Sequence, residues 1–325
     1  MVQGFTLRKF SWDDIPHLVE AFNLSAKANG DIYQFTADEL RSYLDSPDAN
    51  PEEDGLVAVA ENGQLVGEAD IEFEPEIGRA WAGCFVHPDY WGRGIGTALL
   101  QATDARALER GERETPAEKP IYMQRAAIST ATDAINLLTE NGYERVRSFF
   151  VMEKVLTEPV ESPAPPAGLE FRDFDPARDL EAAYQVEQAA FADHWGFTPD
   201  ALENWREYFV NIPNFDASLW TLAWHGNEPA GIAICRPFSE EEADLGWVNI
   251  LAVRREYRKN GLGSALLQHS FARFQAKGYR RAGLGVDTAS PTNAVALYER
   301  AGMQVRLRRD VFRKVLRGSA EDISL

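Results

Sequence analysis

Two cysteines in 325 residues, Cys84 and Cys235, are too few for a disulfide framework, and no CxxC pair or Cys/His cluster offers a zinc site. Each lies in an apolar, strand-like run, the setting of a buried structural thiol. No run of 18 apolar residues occurs, so nothing reads as a membrane span, and the first ten residues lack the apolar stretch of a signal peptide. A cytoplasmic protein that binds no metal and no membrane is expected. Positive charge is also short: Lys plus Arg is 33 against 51 for Asp plus Glu, a net charge of −18. Such a chain repels phosphate backbones, which argues against nucleic acid as a partner, and it attracts small cations. What is present is 45% hydrophobic residues, enough for buried cores. At roughly 150 residues per domain the length implies two domains.

The run 157–168 carries four prolines in twelve residues and no helical or strand periodicity, so it reads as a linker. The flanking halves, 1–156 and 169–325, resemble each other. Phe5-Thr-Leu-Arg8 matches Leu169-Glu-Phe-Arg172, and the turn Asn62–Gly67 matches Gly226–Gly231. Gly94-Ile-Gly96-Thr-Ala-Leu-Leu100 matches Gly261-Leu-Gly263-Ser-Ala-Leu-Leu267, and Leu137–Tyr143 matches Leu297–Met303. Four matches in one order indicate an internal duplication. Their spacing leaves about seven extra residues in the first half, placed by this reading in the loop 111–120. Each half reads as strand, helices, hairpin, long strand, glycine turn, helix, strand, helix and closing strand. The class is α/β in layers, with a mixed, mostly antiparallel sheet flanked by helices.

The sharpest motif is Val253-Arg-Arg-Glu-Tyr-Arg258-Lys259-Asn260-Gly261-Leu262-Gly263-Ser264, where an apolar strand turns through glycines into an amphipathic helix. Successive N–H groups at a helix start cradle phosphate oxygens, and glycine lets the backbone approach them. Arg258 and Lys259 add positive charge in an acidic chain. No GK[ST] follows, which excludes a P-loop, and the spacing is not that of the dinucleotide fingerprint.

Arg258-x-x-Gly261-x-Gly263 resembles the acyl-CoA signature of the GNAT superfamily of N-acetyltransferases. Downstream, Asn293-Ala-Val-Ala-Leu-Tyr298-Glu-Arg-Ala-Gly302-Met303 resembles that family's second conserved region. Both halves carry the pattern, as in tandem GNAT proteins of the mycothiol synthase type. The resemblance implies acetyl-CoA as co-substrate and a small-molecule amine as acceptor, joined in a ternary complex. It implies that Arg258, Lys259, Asn260, Gly261, Leu262, Gly263 and Ser264 hold the pyrophosphate and that Leu251 and Val253 line the pantetheine. Asn293 would touch the cofactor arm, and Tyr298 would protonate the departing thiolate.

The first half keeps Gly92, Arg93, Gly94 and Gly96, a possible second coenzyme A site. It has Trp91 for Arg258, Asp133 for Asn293 and Leu138 for Tyr298, so it is expected to be catalytically degenerate, with coenzyme A bound weakly or not at all. Leucine donates no proton. His194, Trp195 and Trp247 are candidates for the acceptor cleft, with Phe197 and Trp205 as further aromatics. For the general base the sequence offers Asp244, Glu240, Glu241, Glu242 and His194 without choosing among them. A cysteinyl amine of the mycothiol type, a polyamine or aminoglycoside acceptor, and a non-catalytic acyl-CoA sensor are the competing readings. Nothing in the sequence addresses oligomeric state.

Overall fold

The computed structural model describes residues 4–45 and 49–323; the outermost residues of the two sequence halves, 1–3 and 324–325, lie outside them. The first half runs β1 (Phe5–Lys9), α1 (Ile15–Asn29), α2 (Ala37–Leu44), α3 (Pro51–Asp54), β2 (Leu56–Ala60), β3 (Leu65–Glu74), β4 (Arg79–Val86), α4 (Ile95–Glu114), β5 (Ile121–Ile128), α5 (Thr132–Glu140) and β6 (Glu144–Val155). The second runs β7 (Glu170–Asp173), α6 (Pro176–Phe191), α7 (Leu202–Phe209), β8 (Thr221–His225), β9 (Glu228–Pro237), β10 (Leu245–Val253), α8 (Leu262–Ala276), β11 (Arg281–Asp287), α9 (Ala294–Arg300) and β12 (Gln304–Arg317). Local chemistry sets the ends. Thr36 and Glu39 form a capping box at the start of α2, and Asp175 caps α6 with Pro176 in its first turn.

The chain forms two compact units: Met1–Ser148 with Arg309–Leu325, and Phe149–Arg308. In unit 1, β1 to β4 pair antiparallel in sequence order, β4 pairs parallel with β5, and β5 pairs antiparallel with residues 309–317 of β12. Unit 2 repeats the plan with β7 to β10 antiparallel, β10 and β11 parallel, and β11 antiparallel to residues 149–155 of β6. The mostly antiparallel layered class is what the sequence implied. In unit 2 the core is built on Trp205, Trp220, Phe271 and Phe274, all at most 1% exposed. Burying each such side chain contributes about 1.5–3 kcal/mol or more.

The unit boundaries differ from the sequence halves. The chain passes from unit 1 to unit 2 inside β6 and returns inside β12, so each half's closing strand completes the sheet of the other unit. The proline-rich run 157–168 therefore lies within unit 2. It is pinned there: Gln275 of α8 donates to the carbonyls of Leu156 and Glu158 and accepts from Val160 N–H, and Ser162 bonds His269 at 2.6 Å. The extra residues of the first half fall where expected but not as a loop, because α4 has 20 residues and ends at Glu114 where α8 has 15. Most of the insertion continues the helix. Cys235 is buried, but Cys84 is exposed, since β4 parts from β5 after Trp81 and leaves one side of the strand open. Among the described residues no helix is long and apolar enough to cross a membrane, and no three His, Cys, Asp or Glu residues are grouped to hold a metal.

Candidate active site

The site of unit 2 begins with a strand that leaves its neighbour. β10 pairs with β11 only over Leu245–Val248, and its register against β9 shifts between Val248 and Ile250. Asn249 is the extra residue of that β-bulge, and its Oδ1 accepts from Arg236 Nε at 3.0 Å. A bulge bends its strand. Beyond it β10 and β11 form an open fork. Arg254 N–H bonds Ala230 O on β9. Strand alternation then turns the N–H groups of Leu251 and Val253 into the fork.

The fork opens onto the glycine loop. Lys259 (φ 65°) and Gly261 (φ 89°) are both left-handed, and Gly261 caps α8. Left-handed residues flanking Asn260 aim consecutive N–H groups into one concavity, an anion-binding nest. Among the described residues the N–H groups of Lys259, Asn260, Gly261, Gly263 and Ser264 have no hydrogen-bond partner. A Cβ on Gly261 would meet nothing within 4 Å, so the concavity has room for a ligand. A Cβ on Gly263 would stand 3.5 Å from Leu297 of α9 and 3.8 Å from Val253, which marks where β10, α8 and α9 converge.

Two loop residues behave differently from the sequence expectation. Leu262 N–H bonds Asn260 Oδ1 at 3.1 Å and the Leu262 side chain is buried, so its N–H is already used. Arg258 turns inward: Nε donates to Val253 O (3.0 Å), Nη2 to Ala190 O (2.8 Å) and Nη1 to Asp193 (3.1 Å). It ties the loop to the end of α6 and shapes the nest. Asp193, which also pairs with Arg255, went unnoticed in the sequence, where an Asp after a helix carries no distinguishing signal.

Tyr298 on α9 is 8% exposed, and its hydroxyl has no hydrogen-bond partner among the described residues. Burial pushes its pKa up to about 12. Asn293 caps α9 in a left-handed conformation (φ 55°) and is exposed. His194 follows α6 and is half-buried; burial holds its pKa below the ordinary 6.5, within the fields of Asp193, Arg258 and Asp287 at the end of β11. Trp195 lies 6.2 Å from the Phe149 ring. Trp247 is not a cleft surface: it is 5% exposed, stacks near Phe238 at 4.8 Å and covers Gly283, where a Cβ would come within 2.7 Å of its ring. Trp205 is core, with Tyr184, Phe209 and Trp220 around it. Two candidate bases are held as ionised partners of arginines. Arg281 keeps Asp244 below the usual carboxylate range, and Arg306 and Arg281 outweigh burial to do the same for Glu242. Glu240 and Glu241 are exposed turn residues.

Unit 1 repeats the frame without the bulge. β4 keeps one register with β3 throughout and leaves β5 after Trp81. Gly92 (φ 73°) and Gly94 (φ 81°) reproduce the left-handed pair. Trp91 donates its indole N–H to Val86 O at 2.7 Å, the bond that Arg258 makes to Val253 O. The substitution thus preserves the loop's anchor. Arg93 folds over the Tyr90 ring at 4.6 Å, and Gly96 meets Leu137 and Val86 as Gly263 meets Leu297 and Val253. Leu138 is buried, and Asp133 sits in the first turn of α5.

A strand fork leading to a nest of free N–H groups at a helix start is an arrangement suited to a pyrophosphate with an extended arm lying along the open strand. Residues 18–118 and 180–303 match the acetyltransferase (GNAT) family, one segment in each half. The mycothiol acetyltransferase of Thermobispora bispora is 32% identical over 67% of this chain and 70% of that protein. That of Salinispora arenicola is 30% identical over 89% and 90%. A GCN5-related N-acetyltransferase structure from Sphaerobacter thermophilus superposes with a TM-score of 0.80 at 29% identity, covering 97% and 96%. A tandem GNAT protein from the clavulanic acid biosynthesis pathway shares the fold at TM-score 0.74 and 15% identity, covering 97% and 99%. The chain belongs to the GNAT acetyltransferase family; it is an enzyme that moves an acetyl group from acetyl-CoA to an amine.

Proposed function

We propose that unit 2 carries the turnover and that its acceptor is a primary amine on a small molecule. The observation that supports this most is the coincidence, in unit 2 alone, of the bulged fork, the unpartnered N–H nest and Tyr298. Acetyl-CoA supplies the activated acyl group. Lys259, Asn260, Gly261, Gly263 and Ser264 bind the pyrophosphate through their N–H groups, with Arg258 as the positioning residue behind them. Leu251 and Val253 N–H groups orient the pantetheine arm and thioester along β10, and Asn293 at the start of α9 flanks the arm. His194, kept neutral by burial, accepts the amine proton. Tyr298 gives a hydrogen bond to the sulfur as it gains charge. Among the described residues no cysteine or serine stands in a nucleophilic setting, which fits direct attack.

The relatives named mycothiol acetyltransferase favour a cysteinyl amine of the mycothiol type as acceptor. The second glycine loop, with its anchor intact at Trp91, supports coenzyme A binding in unit 1 without turnover there, since Leu138 donates no proton. Titration calorimetry with acetyl-CoA and thiol release across an amine panel test the reading. Failure to bind acetyl-CoA at millimolar concentration, or binding with no thiol released to any primary amine, refutes it.

A further inference from the structure

One face of the fork in unit 2 holds a glycine with nothing over it. Residues of β11 alternate between the two faces of the sheet. Gly246 of β10 packs against Phe274 of α8, so Val248 and its partner Leu284 lie on the α8 face, and Val286 with them. Gly283, Gly285 and Asp287 therefore belong to the opposite face, where the Trp247 ring covers Gly283. Beyond that ring the cover ends. Gly285 is exposed, and a Cβ there would meet nothing within 4 Å, although it stands inside a strand, just past the last residue that pairs with β10. A glycine inside a strand weakens it, and open space above one marks a place where another group approaches closely.

Asp287 bounds this space at the end of β11. Its register partner on β6 is Phe149, so the carboxylate and that ring share one face. The Trp195 ring lies 6.2 Å from the Phe149 ring, which brings the segment after α6 over the same ground. His194, beside Trp195 in the chain, feels the charge of Asp287. Asp287 is half-buried, and its Oδ1 accepts from Ala289 N–H at 2.9 Å, which orients the carboxylate. Tyr298 belongs to the other face, since its neighbour Leu297 meets α8 at Gly263, so the space above Gly285 is left for the amine. Unit 1 differs at each of these points. There Gln124 pairs with Trp81 as Gly283 pairs with Trp247, so Ala126 and Ile128 take the places of Gly285 and Asp287, and Arg309 takes that of Phe149.

We propose that Asp287 is a specificity-determining residue for the acceptor: its carboxylate binds the ammonium group of the primary amine in the space above Gly285, against the Phe149 and Trp195 rings and beside His194. This rests on the reading of unit 2 as the unit that carries turnover. The carboxylate gives the ammonium a charge-assisted hydrogen bond, and the aromatic faces attract the same cation. An alcohol of equal size receives neither, so the site selects an amine by its charge before any proton is removed.

Ligand-observed NMR titration of the full chain, saturated with unreactive coenzyme A, tests the assignment with n-butylamine at pH 7.5, where it is butylammonium, and 1-butanol as the uncharged probe. Butylammonium binds and butanol does not. Asp287→Asn keeps an Oδ1 for Ala289 N–H but weakens butylammonium about tenfold or more, with acetyl-CoA affinity and melting temperature unchanged. Gly285→Val places a β-branched residue in a strand where its Cβ meets nothing, so it melts no lower than the wild type, yet its side chain fills the space and weakens butylammonium as strongly. A wild type that takes up no acetyl-CoA refutes the reading of the donor site and this proposal with it. A wild type that binds acetyl-CoA but not butylammonium, or that binds butanol equally, overturns this proposal alone. So does unchanged butylammonium binding in either variant, or joint loss of butylammonium and acetyl-CoA in Asp287→Asn, since the carboxylate would then serve the fold or the donor site.

Discussion

Tyr298→Phe isolates one hydroxyl. The ring stays buried on α9, and the group removed has no hydrogen-bond partner among the described residues. The hydroxyl is not one of the fully enclosed unpartnered groups, so removing it neither breaks a bond nor relieves a large desolvation cost. In a unit of this size each kcal/mol moves the melting temperature by roughly 2–4 °C, so the variant melts close to the wild-type temperature. Catalysis changes far more. With its pKa near 12, the phenol lies more than three pH units above an ordinary thiol at about 8.5. Complete proton transfer to the thiolate is thus uphill by roughly 5 kcal/mol, and the phenol acts chiefly as a hydrogen-bond donor to the developing charge. This places the loss in kcat near the low end of the range for a missing acid, about 10²-fold, with KM for acetyl-CoA nearly unchanged. The same pKa keeps the phenol protonated throughout ordinary assay conditions, so wild type shows no alkaline limb from Tyr298 below about pH 11. Steady-state kinetics from pH 6 to 10 and a thermal melt are the assays. A kcat within about threefold of wild type refutes the acid role, and a lower melting temperature refutes the claim that the hydroxyl is unsupported.

His194→Gln lowers kcat/KM at pH 8 and removes an acid limb that in wild type lies below pH 6.5, because burial favours the neutral imidazole and activity falls only as pH drops through its lowered pKa; an unaltered pH profile rejects His194 as base. Gly261→Val forces a β-branched residue to φ near +89° and abolishes acetyl-CoA binding by calorimetry, whereas Gly263→Ala, whose Cβ finds only ordinary contacts, retains it. Arg258→Trp, which copies Trp91, keeps KM for acetyl-CoA within a few-fold, while Arg258→Ala raises it about tenfold or more by releasing Val253 O, Ala190 O and Asp193. Residues 1–156 expressed alone lack 309–317, the strand that pairs with β5, and elute from size exclusion as aggregates until a 309–325 peptide is supplied.

The sequence by itself determined the duplicated plan, the layered class and the glycine loops, because these depend on local signals. Alternating strands, glycine at φ positions that other residues avoid, and helix starts and stops are written within a few residues of where they act. β10 was legible to the residue, and the second glycine of the loop, Gly263, meets Val253 of that strand and Leu297, the neighbour of Tyr298 on α9. Tertiary structure decided whatever depends on which distant groups meet. The exchange of closing strands left no local trace, since a strand's sequence reports its period and burial but not its partner. Aromatic type could not tell a buried Trp247 or Trp205 from a cleft surface. A rule of residue identity counted Trp91 as a loss, yet its indole N–H reaches the same carbonyl position as a guanidinium. Charge runs likewise hid their fate: Asp244 and Glu242 are claimed by arginines, whereas Glu68, one acid in an ordinary strand, is sealed away with an unpaired oxygen. Pairing, burial and solvent access are properties of the packed chain, and they set the chemistry of each side chain here.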